Sequence, residues 1–325
     1  MLDGTRQVAT VFTQRQFDEY ARLSGDDNPI HVDAAFAAGT RFGRTVAHGM
    51  FLFSVLQAAI AREIGGPLRL QSQEFVFSGP TFTGDPLLLT LDPTAAGEVA
   101  AQLTDSTGSV TTSGVSRFGP PLPVAAANPE VIGSATFKGL ATGMRAGRTR
   151  EFHDQDVADF LALTRDPNPL FAKHQEVPPG LLAGITSCVL GIDLPGRGTN
   201  WLKQRYTFHR PVPIPAAVTS TVTITRIRPE KGLINLATST TTADRLAVSG
   251  EALSADAVGL NFDRWATARN FDFLKQRPAM LLFTFDPDTG ARVTDRSGNG
   301  NDLIIPERLV VLQKTILAPV QRKLN

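Results

Sequence analysis

The sequence predicts an α+β protein built from two unequal copies of one unit, and three observations predict it. A long helix that is apolar nearly all round occurs twice, and strand-rich sequence follows it each time. An Asp-x-Asn-Pro turn stands ahead of each such helix, with Asp26 and Asn28 in the first copy and Asp166 and Asn168 in the second. The 325 residues, 42% hydrophobic and 19% charged, supply enough apolar side chains for about two domains of ~150 residues.

In the first copy, residues 8–12 are a short β-rich run. Thr13 offers a capping oxygen to a helix over 14–23, whose Phe17, Tyr20, Ala21 and Leu23 share one face. The run Ser24-Gly25-Asp26-Asp27-Asn28-Pro29 stops that helix. A short helical piece at 33–42 follows, then the apolar helix over 48–64, which must be buried. Beyond Gly65-Gly66-Pro67, strands are expected at 68–77, 87–91 and 99–117, where Val, Thr and Ser accumulate. The second copy repeats the order: a helix at 154–163, the turn Asp166-Pro167-Asn168-Pro169, a buried helix at 180–192, and strands at 201–209, 218–227 and 233–241.

The register of the copies is informative. Asp166 lies 140 residues after Asp26, but Gly180 lies only 131 after Gly49, and Tyr206 lies 131 after Phe75. The second copy has therefore lost nine residues where the first carries the 33–42 helix. The domains expected are 1–119, a Pro/Ala-rich linker at 120–147, a second domain at 148–257, and an extension at 258–325 that the repeat does not explain.

Composition removes whole classes of function. Lys and Arg number 32 against 31 Asp and Glu, so no whole-chain field favours nucleic acid or an anionic membrane. One cysteine, Cys188, makes no intramolecular disulfide and reads as core. With five scattered histidines it makes no zinc-type cluster. No Gly-rich phosphate loop or Gly-x-Ser-x-Gly elbow is present, so neither metal nor cofactor is expected. The longest uncharged apolar stretch, 181–192, is short of the ~20 residues of a membrane span. The start of the chain lacks the apolar core of a signal peptide, which points to the cytoplasm.

Two blocks carry a resemblance. Ser24-Gly25-Asp26-Asp27-Asn28-Pro29-Ile30-His31, followed by Phe42-Gly43-Arg44-Thr45-Val46-Ala47-His48-Gly49-Met50, resembles the signature of the MaoC-like, R-specific enoyl-CoA hydratases of the hydratase 2 type. The likeness covers about 5–118 well and 148–256 more weakly. It implies a double hot-dog, two fused domains that each wrap an antiparallel sheet around a central helix. It also implies reversible hydration of a trans-2-enoyl-CoA to the (R)-3-hydroxyacyl-CoA. An Asp-x-Asn-Pro turn or a single histidine is ordinarily structural; the two blocks together carry the functional reading.

Hydration needs a base for water, an acid for C2 and donors for the enolate oxygen. Asp26 and His31, on one short loop, can grip a single water, and the resemblance makes them the catalytic pair. Gly49, at the start of the buried helix, is the expected oxyanion donor through its backbone N–H. Asn28 is expected to tie the loop and orient Asp26, and Ser54 to make a polar contact inside the pocket. His48 is read either as a substrate contact or as a structural hydrogen bond. In the second copy Phe171 stands where His31 stands, and His174 is a poor substitute. Pro178-Pro179-Gly180 keeps only the glycine of the helix start. One active site, in the first half, follows, and the missing nine residues leave room for a longer or bulkier acyl chain.

The partner expected is an acyl-CoA or acyl-ACP thioester, and a homo-oligomer is compatible with the sequence. The alternatives are a 3-hydroxyacyl-ACP dehydratase, a hydratase of branched or dicarboxylic acyl-CoA, a thioesterase, and a non-catalytic acyl-thioester binder or scaffold. The tail, whose residues 295–302 faintly resemble a turn of laminin-G-like lectin domains, is read as a packing extension or oligomer contact.

Overall fold

The computed structural model describes residues 4–255 except 41, 125–129, 174, 198 and 244, together with two short strands near the end of the chain. The first half runs β1 (Arg6–Thr10), α1 (Gln14–Ser24), α2 (Pro29–Val32), α3 (Ala34–Ala38), α4 (Gly49–Ile64), β2 (Leu70–Phe77), β3 (Leu87–Ala95), β4 (Glu98–Asp105) and β5 (Val110–Phe118). A small hairpin follows, β6 (Thr136–Phe137) and β7 (Leu140–Ala141). The second half then runs β8 (Arg145–Phe152), α5 (Asp154–Thr164), α6 (Pro169–Ala172), α7 (Pro179–Cys188), a π-helical turn (Val189–Asp193), β9 (Asn200–Phe208), β10 (Ala216–Arg228), β11 (Leu233–Thr242) and β12 (Arg245–Ala255).

Ten of these strands form one antiparallel sheet in the order β1-β3-β4-β5-β2-β9-β12-β11-β10-β8. From the centre outward the two halves mirror each other, β2-β5-β4-β3-β1 against β9-β12-β11-β10-β8. The seam is the β2–β9 pairing, with Ser72 opposite Thr207 and Phe75 opposite Gln204. Phe75 on β2 faces Gly114, and Tyr206 on β9 faces Gly250. A Cβ on Gly114 would fall 2.1 Å from the Phe75 ring, and one on Gly250 would fall 2.4 Å from the Arg205 carbonyl oxygen. Each half thus spends a glycine on close approach to the neighbouring strand, in the first half to admit the Phe75 ring and in the second to admit the Arg205 carbonyl and the Thr238 and Gln204 side chains.

The buried helices fill the concavity. Met50, Phe51, Phe53, Leu56 and Ile60 of α4 join Leu181, Leu182 and Ile185 of α7 in a core that spans both halves. The apolar face of α1 closes on it: Phe51 meets Phe17 and Tyr20 with ring centroids 5.7 and 5.6 Å apart. Thr13 caps α1 as the sequence indicates, in a reciprocal box with Gln16. Gly25, at φ 78°, ends the helix by donating its N–H to Ala21 O at 2.8 Å. Arginines also cross the boundary between halves. Arg150 donates to the Arg22 and Leu23 carbonyls at the end of α1, and Arg62 to those of Thr164 and Arg165 at the end of α5.

Several elements differ from expectation. The run 99–117 is two strands, because Asp105 Oδ1 accepts from the N–H groups of Thr107 and Ser109 at 2.9 Å and turns the chain. The stretch read as linker carries the β6–β7 hairpin and the first residues of β8. That strand escapes a hydropathy reading because two positions on the face it shares with buried Phe152 are arginines, Arg148 paired with Asp193 and Arg150 bonded to the end of α1. The 33–42 helix is the short α3, capped by Asp33 Oδ1, which accepts from Ala35 and Phe36 N–H. Among the described residues, no helix corresponds to it between α6 and α7. The second buried helix leaves α-geometry after Cys188 and continues as the π-turn. Beyond residue 262 the chain forms a separate unit, in which β13 (Arg292–Val293) pairs with β14 (Leu303–Ile304). The rest of the 258–325 extension, and His174, lie outside the described residues. Among the described residues no helix is long and apolar enough to cross a membrane.

Candidate active site

The loop between α1 and α2 is tied down at both ends before it presents any chemistry. Asp26 N–H donates to Ser24 Oγ at 3.1 Å, and His31 N–H donates to the Asn28 carbonyl at 2.9 Å. Pro29 opens α2, where its missing N–H costs nothing. The segment before α4 runs alongside: Val46 N–H donates to Ile30 O at 3.2 Å, and Gln14 Nε2 donates to His31 O at 2.9 Å. This lacing puts Asp26, His31 and His48 in one place.

Their hydrogen bonds fix both imidazole tautomers. His31 Nδ1 lies 2.8 Å from Val46 O, and His48 Nε2 lies 2.9 Å from Asp26 O. A carbonyl only accepts, so each of those nitrogens carries the proton. His31 Nε2 and His48 Nδ1 are therefore lone-pair nitrogens, and His48 Nδ1 is buried without a hydrogen-bond partner. The two rings stack with centroids 3.8 Å apart and planes 29° from parallel. Asp26 is 2% exposed. Its Oδ2 accepts from Ser187 Oγ at 2.6 Å, while Oδ1 is buried without a partner.

Burial governs the titration of the cluster. It pushes the Asp26 carboxyl above its ordinary 3.8, against the opposing pull of His31, the Ser187 hydroxyl and the Asn28 backbone. It pushes His31 below 6.5, opposed by Asp26 and by the bond to Val46 O. His48 is held well below 6.5 by burial and then by His31 beside it. Burial favours the neutral His31 imidazole, and beside it Asp26, when ionised, is a second acceptor with lone pairs to offer. Asp26, His31 and His48 also bring one metal-ligating type of atom each to within 4.8 Å of one another.

Gly49 opens α4 directly after His48, and no side chain caps this helix. Phe51 and Leu52 N–H bond back to His48 O, so the N–H of Gly49 falls among those that a helix leaves without an internal acceptor. A Cβ on Gly49 would lie 3.0 Å from the Phe77 ring, so any side chain here would have to push that ring aside by a few tenths of an ångström. The supporting residues divide. His48 is an anchor, through Asp26 O and the stack on His31. Asn28 ties the loop to the other half, since its Nδ2 donates to Gly191 O at 3.4 Å. Ser54 is not part of this cluster. Its hydroxyl donates to Met50 O at 2.7 Å, and it lines a cavity between the halves, with Leu68 and Phe118 of its own half and Asp166, Asn168, Phe171 and Gly180 of the other. One and a half turns of α4 carry it to the opposite side.

Sequence reasoning missed Ser187 and Gly191. A serine and a glycine inside a helix otherwise apolar all round were the signal, and it was read as core. Cys188 is buried, and its thiol donates to Gly25 O at 3.1 Å, with the pKa pushed up to about 11 by burial. In the second half Asp166 keeps the turn, with its Oδ1 accepting from Asn168 N–H at 2.9 Å. Phe171, 6% exposed, fills the histidine position.

Fold and loop together define a double hot-dog protein in which, among the described residues, only the loop of the first half sets a buried aspartate beside a histidine. Comparison with known proteins agrees. The MaoC like domain matches residues 4–114. The (R)-specific enoyl-CoA hydratase of Rhodospirillum rubrum is 32% identical over 126 residues, 36% of this chain and 88% of that one. The (R)-specific enoyl-CoA hydratase of Aeromonas caviae is 36% identical over 125 residues, 35% of this chain and 93% of that one. A Mycobacterium tuberculosis protein described as having a double hot-dog fold superimposes with a TM-score of 0.62 at 12% identity, over 78% of this chain and 96% of that one. That last likeness speaks for the fold alone. The chain belongs to the MaoC-like dehydratase family. Its class of chemistry is hydration or dehydration of acyl thioesters.

Proposed function

We propose that the first half catalyses reversible hydration of a trans-2-enoyl-CoA to the (R)-3-hydroxyacyl-CoA, with Asp26 and His31 holding the reacting water. The observation that carries this reading is the pair of acceptors, Asp26 Oδ1 and His31 Nε2, with the histidine tautomer set by Val46 O. A water between them donates a hydrogen to each and turns an oxygen lone pair toward C3. As that oxygen adds to C3, His31 Nε2 takes one proton, and the imidazolium is favoured by the Asp26 carboxylate and the Val46 carbonyl. The electron pair of the double bond moves onto the thioester as an enolate, whose oxygen meets the Gly49 N–H at the positive end of α4. Return of the proton from His31 to C2 completes addition of H and OH, and the reverse sequence is dehydration. The coenzyme A carrier and the R configuration are taken from the names of the two hydratases above.

The test is the ultraviolet absorbance of crotonyl-CoA and of a longer enoyl-CoA on addition of the protein, beside Asp26→Asn and His31→Ala. The enoyl band is expected to fall with no free thiol released, and each variant to lose roughly 10²–10⁴-fold in rate. Release of thiol would make the protein a thioesterase. A full rate in either variant would move the chemistry to another place.

A further inference from the structure

We infer that the second half is a working part of the first half's site, with Ser187 and Gly191 as positioning residues for Asp26. This rests on the hydration reading above. Four observations lead to it. Ser187 Oγ donates to Asp26 Oδ2 at 2.6 Å, so one carboxylate oxygen is occupied and Oδ1 is left for water. Gly191 lies against the same carboxylate: a Cβ there would sit 3.2 Å from Oδ1 and 3.4 Å from Oδ2. Its carbonyl accepts from Asn28 Nδ2, which ties the catalytic loop to the π-turn. The π-turn, Val189–Asp193, begins two residues after Ser187, and such local widening of a helix is frequent at functional sites.

The chemical content is directional. A carboxylate has two equivalent oxygens and free rotation in water; here a hydroxyl from the other half holds one, and a missing side chain leaves space beside the other. The half that lost its histidine thus contributes an orienting donor in place of a second reaction centre. Other titratable groups face Asp26: His31 on α2, His48 at the head of α4, Tyr20 on α1, Asp27 on its own loop and Cys188 on α7. Ser187 does not titrate in the working range, so its removal changes the carboxylate without adding or removing a charge.

The experiment compares wild type, Ser187→Ala, Ser187→Thr and Gly191→Ala by kcat, KM, pH profile and melting temperature. Loss of the Ser187 donor disfavours the ionised carboxylate, so Asp26 titrates higher. In Ser187→Ala the acid limb of kcat/KM is expected to move to higher pH and kcat to fall about tenfold or more, with KM within about threefold. The threonine keeps the hydroxyl and is expected to restore both. Gly191→Ala has an unstrained backbone and is expected to lose at least as much kcat by crowding Oδ1, with the melting curve confirming that the variant is folded at the assay temperature. It keeps the question open to refutation should Ser187→Ala not fold.

A Ser187→Ala protein that loses rate with its acid limb unmoved has a structural defect only, and the inference is overturned. Full activity in Gly191→Ala also overturns it. Should the wild type hydrate no enoyl-CoA, the reading of function fails separately. The positioning claim is then judged by ¹³C NMR titration of the Asp26 carboxyl, where an unchanged midpoint in Ser187→Ala rejects it.

Discussion

The loops at 24–31 and 164–171 are the same turn put to different uses. Both carry Asp-x-Asn-Pro, and both asparagines reach into the opposite half, Asn28 to Gly191 O and Asn168 to Leu68 O. Where Gly25 ends α1 at φ 78°, Arg165 ends α5 in the same left-handed region at φ 55°. The differences lie in what surrounds the aspartate. Asp26 is enclosed, with a serine of the other half on one oxygen and two imidazoles beside it. Asp166 is held by its own loop, half-buried, next to a phenylalanine. The turn persists because it is a self-contained piece of backbone chemistry. Under the proposed hydration, the chemistry is lost with a single side chain.

That comparison can be broken from either side. The largest effect is expected for His31→Phe, which gives the first loop the residue of the second. Hydration should fall by roughly 10²–10⁴-fold with circular dichroism unchanged, whereas Asp166→Ala should leave kcat at the wild-type value. Next comes Gly180→Ala at the start of α7. Its Cβ would lie 2.3 Å from Ser54 Oγ and 2.4 Å from the Phe160 ring, and overpacking of this kind costs about 1–3 kcal/mol. The melting temperature should drop while the folded fraction stays active.

A pH profile sharpens the contrast further. The working state needs Asp26 ionised and His31 neutral, so rate is lost as pH falls and each takes a proton. Burial raises Asp26 and lowers His31 from their ordinary values, so rate should begin to fall at a pH above the ordinary aspartate range, and Asp166→Ala should not move that limb. The smallest effect is expected for Arg62→Ala, which removes the donor at the end of α5. Arg62 is exposed, so its loss should cost at most about 1 kcal/mol, read as a small fall in melting temperature.

Much of this was legible in the residues. The duplication, the two buried helices, the Thr13 cap and the pairing of Asp26 with His31 follow from local chemistry and from spacing. What was not legible depends on partners distant in sequence. Strand β8 carries Arg148 and Arg150 for Asp193 and for the carbonyls at the end of α1, and such partners do not show in a hydropathy pattern. The destination of Ser54 was misjudged because one and a half helical turns separate facing the site from facing the other half. Ser187 was hidden for the converse reason: 161 residues separate it from Asp26, and a serine inside an apolar helix carries no mark of what lies beyond that helix.

The seam between β2 and β9 has one further consequence. Were the two halves separate copies of a single polypeptide, every substitution would occur on both sides of the axis at once, and a phenylalanine at the histidine position would erase both centres together. Joined in one chain, the halves are inherited side by side but altered one at a time. Phe171 then leaves His31 untouched, and Ser187 can serve Asp26 with no matching hydroxyl required on the other side. The continuous sheet is what makes division of labour heritable in this molecule.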